Sequence, residues 1–328
     1  MAYTAIDDPS AFFQCSLYAG NAGTQTITHG GNSDLQADMV WLKGRNHAES
    51  TFVTDSVRGV DSQLYTNATN AVGTETNVVT AFGSDSFNIG NYSDINTNGK
   101  NYVSWNWKES ATAGFDIVAY TGSGSAKTVA HNLGVKPDVI ICKSRSGAEE
   151  WRPYFSALGA TYGMRLNDTN AKDDDAGYWN DVEPTSSVFT VGTNAGTNGS
   201  SVTFIAYCFA EKKGYSKFKS YAGNGNVDGP FIPTGFKPAM VIIKDTTAAR
   251  DWIIVDNKRN TFNVVNNRLF PNNTDAQNTG VNALDFTAQG FKIRSTNSTV
   301  NVSGNIYAYM AFAENPFTTS TGIPATAR

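Results

Sequence analysis

Short apolar or alternating stretches follow one another along the whole chain, separated by turns rich in glycine, asparagine and threonine. Alternation of apolar and polar residues with a period of two is the pattern of a β-strand, whereas apolar residues at helical spacing are scarce in this chain. Many short strands between such turns are typical of antiparallel sandwiches and barrels. The pattern therefore predicts an all-β protein.

The strand pattern occurs about three times, with a period close to one hundred residues. Four markers recur in the same order: a tyrosine before a glycine, a lysine closing an apolar run, a phenylalanine in a short alternating strand and a glutamate ending the last strand. They are Tyr18, Tyr120 and Tyr221; Lys43, Lys143 and Lys244; Phe87, Phe189 and Phe291; and Glu109, Glu211 and Glu314. A fixed period indicates one structural module per repeat.

We therefore predict three tandem, antiparallel, sandwich-like modules of about 100 residues, each large enough for its own core. Module 1 comprises residues 1–112 and includes a short lead-in. Module 2 comprises residues 113–213. Module 3 comprises residues 214–328 and includes a C-terminal tail.

Two strands of each module have distinctive patterns. The run that ends in lysine is continuously apolar, which predicts a strand buried on both faces. The last strand alternates large and small residues, which predicts a sheet with one buried face and places Trp105 and Trp107 together towards the core. Lys43, Lys143 and Lys244 are expected to form salt bridges with Glu109, Glu211 and Glu314 of their own modules, with a ligand-contacting lysine as the alternative.

Composition narrows the classes of partner. The net charge is −4 and the basic residues are scattered, so nucleic acid is not expected as a partner. No signal peptide and no apolar window of membrane-spanning length is found, so no membrane insertion is expected. Cys15, Cys142 and Cys208 form no paired or metal-binding spacing, which indicates reduced thiols buried in the core.

Three stretches rich in Asn, Asp and Thr vary between the modules and are expected to be loop tips that carry specificity: 67–80, 167–181 and 268–281. In the second stretch, Tyr178, Trp179 and Asp181 are expected to form an exposed contact site for a glycan or protein. Asp173, Asp174 and Asp175 could hold calcium, but no EF-hand spacing is present, and a solvated acidic loop is the favoured reading.

Catalytic patterns are weak, and no enzyme activity and no cofactor are predicted. His29 and His131 occupy matching positions before the apolar run and are expected to be structural. No GxSxG motif is present. Glu149 and Glu150 beside Trp151 resemble a glycosidase acid pair, but the corresponding residues of the other modules differ, which favours a role in the scaffold.

Several segments together resemble an uncharacterised repeat domain found in virion structural proteins of tailed bacteriophages, many of them marine and cyanobacterial. They are MAYTAIDDPSAFFQCSLYAGN, DLQADMVWLKGR, DSVRGV (Asp55–Val60) and NYVSWNWKES. Related chains carry Pro-Asp before the apolar run and Lys-Ser-Arg after it, as module 2 does at 137–138 and 143–145. Module 1 has Ala37-Asp38 and Lys43-Gly44-Arg45, and module 3 departs further, with Pro238-Ala239 and Lys244-Asp245-Thr246.

The resemblance implies a phage particle and supplies no catalytic residues. We expect a virion protein, made in the host cytoplasm, that acts as a tail fibre or receptor-binding component and adheres to the host through its loops. A homo-oligomer, first of all a trimer, is expected among other virion proteins. The alternatives are a capsid decoration or neck and collar protein, and a glycan-cleaving tailspike.

Overall fold

The computed structural model describes residues 3–325, and its secondary structure is almost entirely antiparallel β-sheet. The predicted all-β fold is confirmed. Each of the three repeats, called units 1, 2 and 3 below, forms an inner sheet of four or five strands and an outer sheet of two or three strands.

Unit 1 begins with a 3₁₀ turn at Pro9–Ala11. Its inner sheet has the order β1-β8-β3-β4-β5, and its outer sheet has the order β2-β7-β6. Its elements are β1 Phe13–Ala19, β2 Gln25–Thr28, β3 Met39–Gly44, β4 Thr51–Asp55, β5 Leu64–Tyr65, β6 Val79–Gly83, β7 Ser86–Ile89, α1 Ser93–Asn96 and β8 Asn101–Trp107.

Unit 2 has the inner order β9-β16-β11-β12, the outer pair β10-β15 and a small ladder of β13 with β14. Its elements are β9 Phe115–Thr121, β10 Lys127–Ala130, β11 Val139–Ser144, β12 Arg152–Phe155, β13 Tyr162–Gly163, β14 Asp173–Asp174, α2 Ala176–Trp179, β15 Val188–Val191, α3 Ala195–Asn198 and β16 Thr203–Phe209.

Unit 3 has the inner order β17-β23-β19-β20 and the outer order β18-β22-β21. Its elements are β17 Ser216–Ala222, β18 Phe231–Pro233, β19 Phe236–Asp245, β20 Ile253–Asp256, β21 Leu284–Thr287, β22 Gly290–Ile293 and β23 Ile306–Pro316.

The apolar runs are buried on both faces, as predicted, because each inner sheet lies between two cores. In β3, Met39 and Trp41 face a central core shared by all three units, while Val40 and Leu42 face the core of unit 1 alone. β11 and β19 alternate in the same way. Alternate residues of a strand point to opposite faces, so a strand between two cores has no polar side.

The last strands, β8, β16 and β23, are also buried on both faces along most of their length. The prediction of one buried face was therefore wrong for these strands. Trp105 and Trp107 do face one side together, as predicted, and that side is the central core. The polar residues that alternate with them, Ser104 and Asn106, lie buried on the other side.

Three equivalent aromatic residues show how the units are arranged. Trp107, Phe209 and Phe312 come from the same position of β8, β16 and β23. Their rings form a closed triangle, with centroids 6.4, 5.9 and 5.5 Å apart. A triangle of equivalent side chains means that the three inner sheets surround a common centre with approximate threefold symmetry. The units are thus arranged as a ring, with a joint between each neighbouring pair.

The lysines that close the apolar runs hold these joints. Lys143 of unit 2 donates to the carbonyls of Glu149 and, in unit 1, Thr69. Lys244 of unit 3 donates likewise to Arg250 and to Thr169 of unit 2. Lys43 of unit 1 completes the ring by donating to Glu49 and to Asn273 of unit 3.

The expected salt bridges of these lysines with Glu109, Glu211 and Glu314 were therefore wrong. The strands are antiparallel, and Lys43 pairs with Val103, six residues before Glu109. Six residues of strand span roughly 20 Å, which places the two charges at opposite ends of the sheet. Glu211 pairs instead with Lys217 at 2.9 Å, and Glu314 with Lys237 at 3.4 Å.

A second set of contacts varies from joint to joint. The hydroxyl of Tyr207 donates to Asp55 across the joint of units 1 and 2, at 2.6 Å. In the joint of units 3 and 1, Trp105 donates to Asp256 at 3.0 Å. The equivalent residues of the remaining joint are Phe155 and Met310, which both lie in the central core. Donor and acceptor have both been replaced there by apolar side chains, so neither is left unpaired.

The beginning of the described chain lies against unit 3 and its tail. The hydroxyl of Tyr3 donates to the carbonyl of Gly235 at 2.7 Å, and the hydroxyl of Thr4 donates to the carbonyl of Lys213 at 2.8 Å. Asp7 accepts from the backbone N–H of Ser320. The bonds of Tyr3 and Asp7 add to the joint of units 3 and 1, and that of Thr4 reaches the end of unit 2. Over residues 3–325, none of the helices has the length and apolar character that crossing a membrane requires.

Candidate ligand-binding cleft

The expected contact site in unit 2 is not an exposed loop. Tyr178 and Trp179 form helix α2 and are each only 2% exposed. Trp179 packs edge-on against Tyr154 in the core of unit 2, and the ring of Tyr178 lies 4.5 Å from the guanidinium of Arg152. Asp181 is exposed. The predicted exposure of the Tyr–Trp pair was wrong, because one helical turn folds both rings under the outer sheet.

The three neighbouring aspartates, at 173–175, have different surroundings. Asp173 accepts a hydrogen bond from the hydroxyl of Tyr178 at 2.6 Å and lies 3.6 Å from Arg165. Asp175 caps helix α2 by accepting from the N–H of Gly177 at 2.8 Å. Asp174 is exposed on the small ladder. Within residues 3–325, no three His, Cys, Asp or Glu side chains are grouped to hold a metal ion.

The stretches predicted to be variable loop tips each contain a repeated motif that sequence analysis missed. It reads Asn-x-Thr and occurs at 67–69, 167–169 and 272–274. The side-chain oxygens of Asn67, Asn167 and Asn272 accept from backbone N–H groups at 2.9 to 3.0 Å. The donors are Thr51, Trp151 and Trp252, which lie at the start of β4 or immediately before β12 and β20. The joint lysines donate to backbone carbonyls of the same motifs, namely those of Thr69, Thr169 and Asn273. A comparison of Asn positions between the repeats would have revealed this motif.

The third of these stretches, however, also forms one wall of a surface cleft in unit 3. The cleft has a volume of about 490 Å³. Its opposite wall is the turn at 297–299, and its lining includes Asp251, Arg268, Phe270 and Asp275. The polar groups in it are a guanidinium, carboxylates, amides and hydroxyls.

Arg268 is the least usual group of the cleft, since it is only 4% exposed. Its terminal nitrogens donate to neutral oxygens: Asn278 at 3.0 Å, Thr299 at 3.2 Å and Asn297 at 3.4 Å. Its Nε is buried without a hydrogen-bond partner among the described residues. Burial lowers the pKa of Arg268 from its ordinary value, and Asp251 partly opposes that effect.

Two other buried arginines form ion pairs with carboxylates. Arg58 and Arg259 each contact the carboxylate three residues before them, Asp55 and Asp256, at 2.6 Å. A buried charge is ordinarily paired in this way. Arg268 differs from both, because a cleft and neutral acceptors surround it. Buried Arg152 also donates to a neutral group, the hydroxyl of Tyr178, but it lies in the core of unit 2.

The acceptor side of the cleft is held by amides. Asp251 accepts from the side chains of Asn272 at 2.7 Å and Asn273 at 3.3 Å. Asp275 is exposed, and its own N–H is fixed by the side chain of Asn273.

Residues 8–316 match a protein family described as a domain of unknown function, DUF7483. The chain belongs to this family. The match covers all three units and includes the cleft.

Comparison with curated proteins and with solved structures found no significant match. One wall of the cleft in this family member is held against the ring by Gln277. The N–H of Gln277 donates to the carbonyl of Arg45 in unit 1 at 2.7 Å. Its side-chain oxygen accepts from Arg45 and Arg259 at 3.4 Å each. The wall is thus anchored to a neighbouring unit rather than free in solvent.

The cysteines and histidines lie elsewhere. Cys15, Cys142 and Cys208 are buried free thiols, as predicted. His29 is buried beside Ser16, at 3.0 Å, and burial lowers its pKa to about 4. His131 accepts from the N–H of Leu133 and contacts the carbonyl of Thr185. These partners give both histidines places in the outer-sheet packing.

Proposed function

We propose that this chain is a virion component of a tailed bacteriophage that attaches the particle to its host, as a tail fibre or receptor-binding protein. The cleft of unit 3 carries the proposal, because it is an open, polar concavity on a rigid ring. Binding sites are commonly concave, largely preformed and supplied with a few fixed polar groups. Many copies on one particle would make even a weak site effective through avidity.

The proposed role is binding rather than catalysis. The groups of the cleft are fixed by their neighbours, as Asp251 is by Asn272 and Asn273. Such groups suit recognition by hydrogen bonds. The proposed partners are other virion proteins and a glycan or protein of the host surface. Assembly as a homo-oligomer, for which a trimer was expected, stays a prediction, and the three units of one chain already form a ring.

A structural role is the second candidate, as a capsid decoration or a neck and collar protein. One observation favours it: the Asn-x-Thr loops of all three units hold the joints of the ring. The carbonyls of these loops that accept from the joint lysines are thereby committed to holding the ring together. The third candidate, a glycan-cleaving tailspike, would degrade host polysaccharide, and a depolymerisation assay separates it from both others.

The test is cryo-electron microscopy of the particle that carries the chain. Density for the chain at the tail tip or in radiating appendages, with the cleft facing outward, is expected. Density on the capsid shell or between neck proteins would overturn the attachment role and support the structural candidate. As a second readout, an excess of the isolated chain should slow adsorption of the particle to its host cells.

A further inference from the structure

We propose that the cleft of unit 3 binds an uncharged, polyhydroxylated ligand, that is, a neutral saccharide. This inference rests on the proposed function only in assigning the contact to the same cleft. It concerns the chemistry of the ligand, and it holds for the isolated chain.

Donors and acceptors in the cleft are of opposite kinds. Arg268 can only donate hydrogen bonds, whereas the carboxylate oxygens of Asp251 and Asp275 accept them. A hydroxyl group does both. Neighbouring hydroxyls of a sugar can therefore donate to a carboxylate and accept from the guanidinium or from an amide at the same time.

The charges of the cleft argue against a charged ligand. An anion drawn to Arg268 would meet Asp251 and Asp275 in the same space, and a cation drawn to the carboxylates would meet Arg268. Placing like charges together in a partly desolvated site is unfavourable. A neutral ligand with many hydroxyls satisfies both kinds of group without this repulsion.

Arg268 supplies a second observation that indicates a ligand. It is nine-tenths buried, and among the described residues the acceptors of its terminal nitrogens are all neutral. Its guanidinium carbon lies 5.9 Å from the ring centre of Phe270, another lining residue. A ligand oxygen at this place would give the guanidinium a further acceptor, which is the interaction that Arg58 and Arg259 obtain from their aspartates.

The walls are also fixed before a ligand arrives. Gln277 is tied to Arg45 of unit 1, and Asn278 is tied to Arg268 by a pair of backbone hydrogen bonds at 2.9 Å. Thr299 and Asn297 are joined through the threonine hydroxyl at 2.7 Å. A preformed site loses less conformational entropy on binding, which allows weak polar contacts to yield measurable affinity.

The test measures binding of the full chain to a printed array of neutral hexose oligosaccharides, uronate-containing oligosaccharides and amino-sugar oligosaccharides. Saturation-transfer NMR then gives affinities for the glycans retained. Neutral glycans are expected to bind. Asp275→Ala, which removes an exposed acceptor, is expected to weaken binding at least tenfold, and Ala276→Phe, which fills the cleft, is expected to abolish it.

Asn170→Ala is the matched control, because Asn170 occupies the position of Asp275 in the motif of unit 2 and is also exposed. It should change affinity less than twofold. Retention of the charged glycans alone, binding that survives both cleft variants, or no retention of any glycan would each overturn the inference. The thermal transition of each variant confirms that it is folded.

The outcomes also separate this inference from the proposed function. Neutral glycans bound in the cleft by a chain that lies on the capsid would leave the inference standing and end the attachment role. Host cells bound equally by the wild type and both cleft variants, with no glycan retained, would support attachment and end the inference.

Discussion

At the scale of single residues, one position shows how the joints differ in chemistry. Asp116, Lys217 and Gln14 occupy the same place in β9, β17 and β1, next to Glu109, Glu211 and Glu314 respectively. Glu211 meets a lysine at 2.9 Å. Glu314 and Gln14 line one small pocket. Glu109 instead faces Asp116, and burial together with that carboxyl raises the pKa of Glu109 to about 7.

This pKa predicts a pH dependence of stability. Between pH 4.5 and 7 the folded chain keeps a proton on Glu109 that the unfolded chain has released, because the ordinary pKa is 4.5. The contribution of Glu109 to the free energy of unfolding therefore falls as pH rises through that window. Chemical denaturation at pH 5 and pH 8 measures how much free energy of unfolding is lost between these two pH values. The loss should be smaller for Glu109→Gln than for the wild type.

Asp116→Asn should reduce the same loss, because it removes the carboxyl that faces Glu109, while Asp38 remains nearby. Taking the difference between variant and wild type removes the effect of other groups, such as His29. An identical pH dependence in the wild type and both variants would contradict the assignment.

The joint lysines give a second prediction at this scale. Lys143→Met keeps the length of the side chain but leaves the carbonyls of Thr69 and Glu149 without their donor. Unpaired buried carbonyls cost about 1–3 kcal/mol, so the free energy of unfolding should drop by that order. Urea denaturation measures it. Lys108→Met, at an exposed position, is the control and should be close to neutral.

At the scale of elements, each unit uses the same device to close its outer sheet. A tyrosine of the first strand donates from its hydroxyl to the carbonyl before a buried asparagine: Tyr18 to Ile95, Tyr120 to Thr197 and Tyr221 to Val300. The asparagine, for example Asn198, then accepts from the N–H of Ser123 and donates to the carbonyl of Ser125 in the loop after the first strand. It also donates to the carbonyl of Gly192, directly after β15. The Tyr-x-Gly marker in the sequence reports this closure.

The glycine of that marker is required by a close backbone approach, which is testable. A Cβ on Gly122 would lie 2.2 Å from the carbonyl oxygen of Gly199. Gly122→Ala should therefore lower the free energy of unfolding by about 1–3 kcal/mol through overpacking. Gly30→Ala is the control, because its Cβ would meet nothing within 4 Å. Equal melting temperatures for the two variants would refute the close approach.

At the scale of the whole molecule, the central core makes the units depend on one another. Five of the six tryptophans lie in it: Trp41, Trp105, Trp107, Trp151 and Trp252. The lead-in residue Tyr3 adds a bond to the last unit, and Thr4 adds one to the end of unit 2. A ring that buries its largest side chains between units should have little stability in pieces.

We expect the full chain to unfold in one transition, with tryptophan fluorescence and far-UV circular dichroism changing together. A shortened chain of residues 1–213 lacks the third inner sheet and leaves Trp107 and Phe209 exposed. It should show no cooperative transition and should be cleaved rapidly by protease. A stable, cooperative unit 1–213 would show that the modules are independent.

Sequence reasoning recovered the strands better than the site. The β-branched and apolar run of β11 predicted a doubly buried strand, because that pattern depends only on alternation along the strand. Tyr178 and Trp179 were misplaced, since a four-residue helix leaves no periodic signal, and composition alone favoured an exposed loop. Arg268 was noticed only as the first residue of a variable stretch, because its burial depends on loops that are distant in sequence.

The sequence by itself determined the all-β class, the threefold repetition and the two-sided burial of the apolar runs, because each follows from local periodicity. Only the tertiary structure decided that the units form a ring, that the lysines bind carbonyls across the joints and that unit 3 carries a cleft. These features depend on which surfaces meet. Residues such as Lys43 and Asn273 are 230 positions apart, and no local pattern records that they bond.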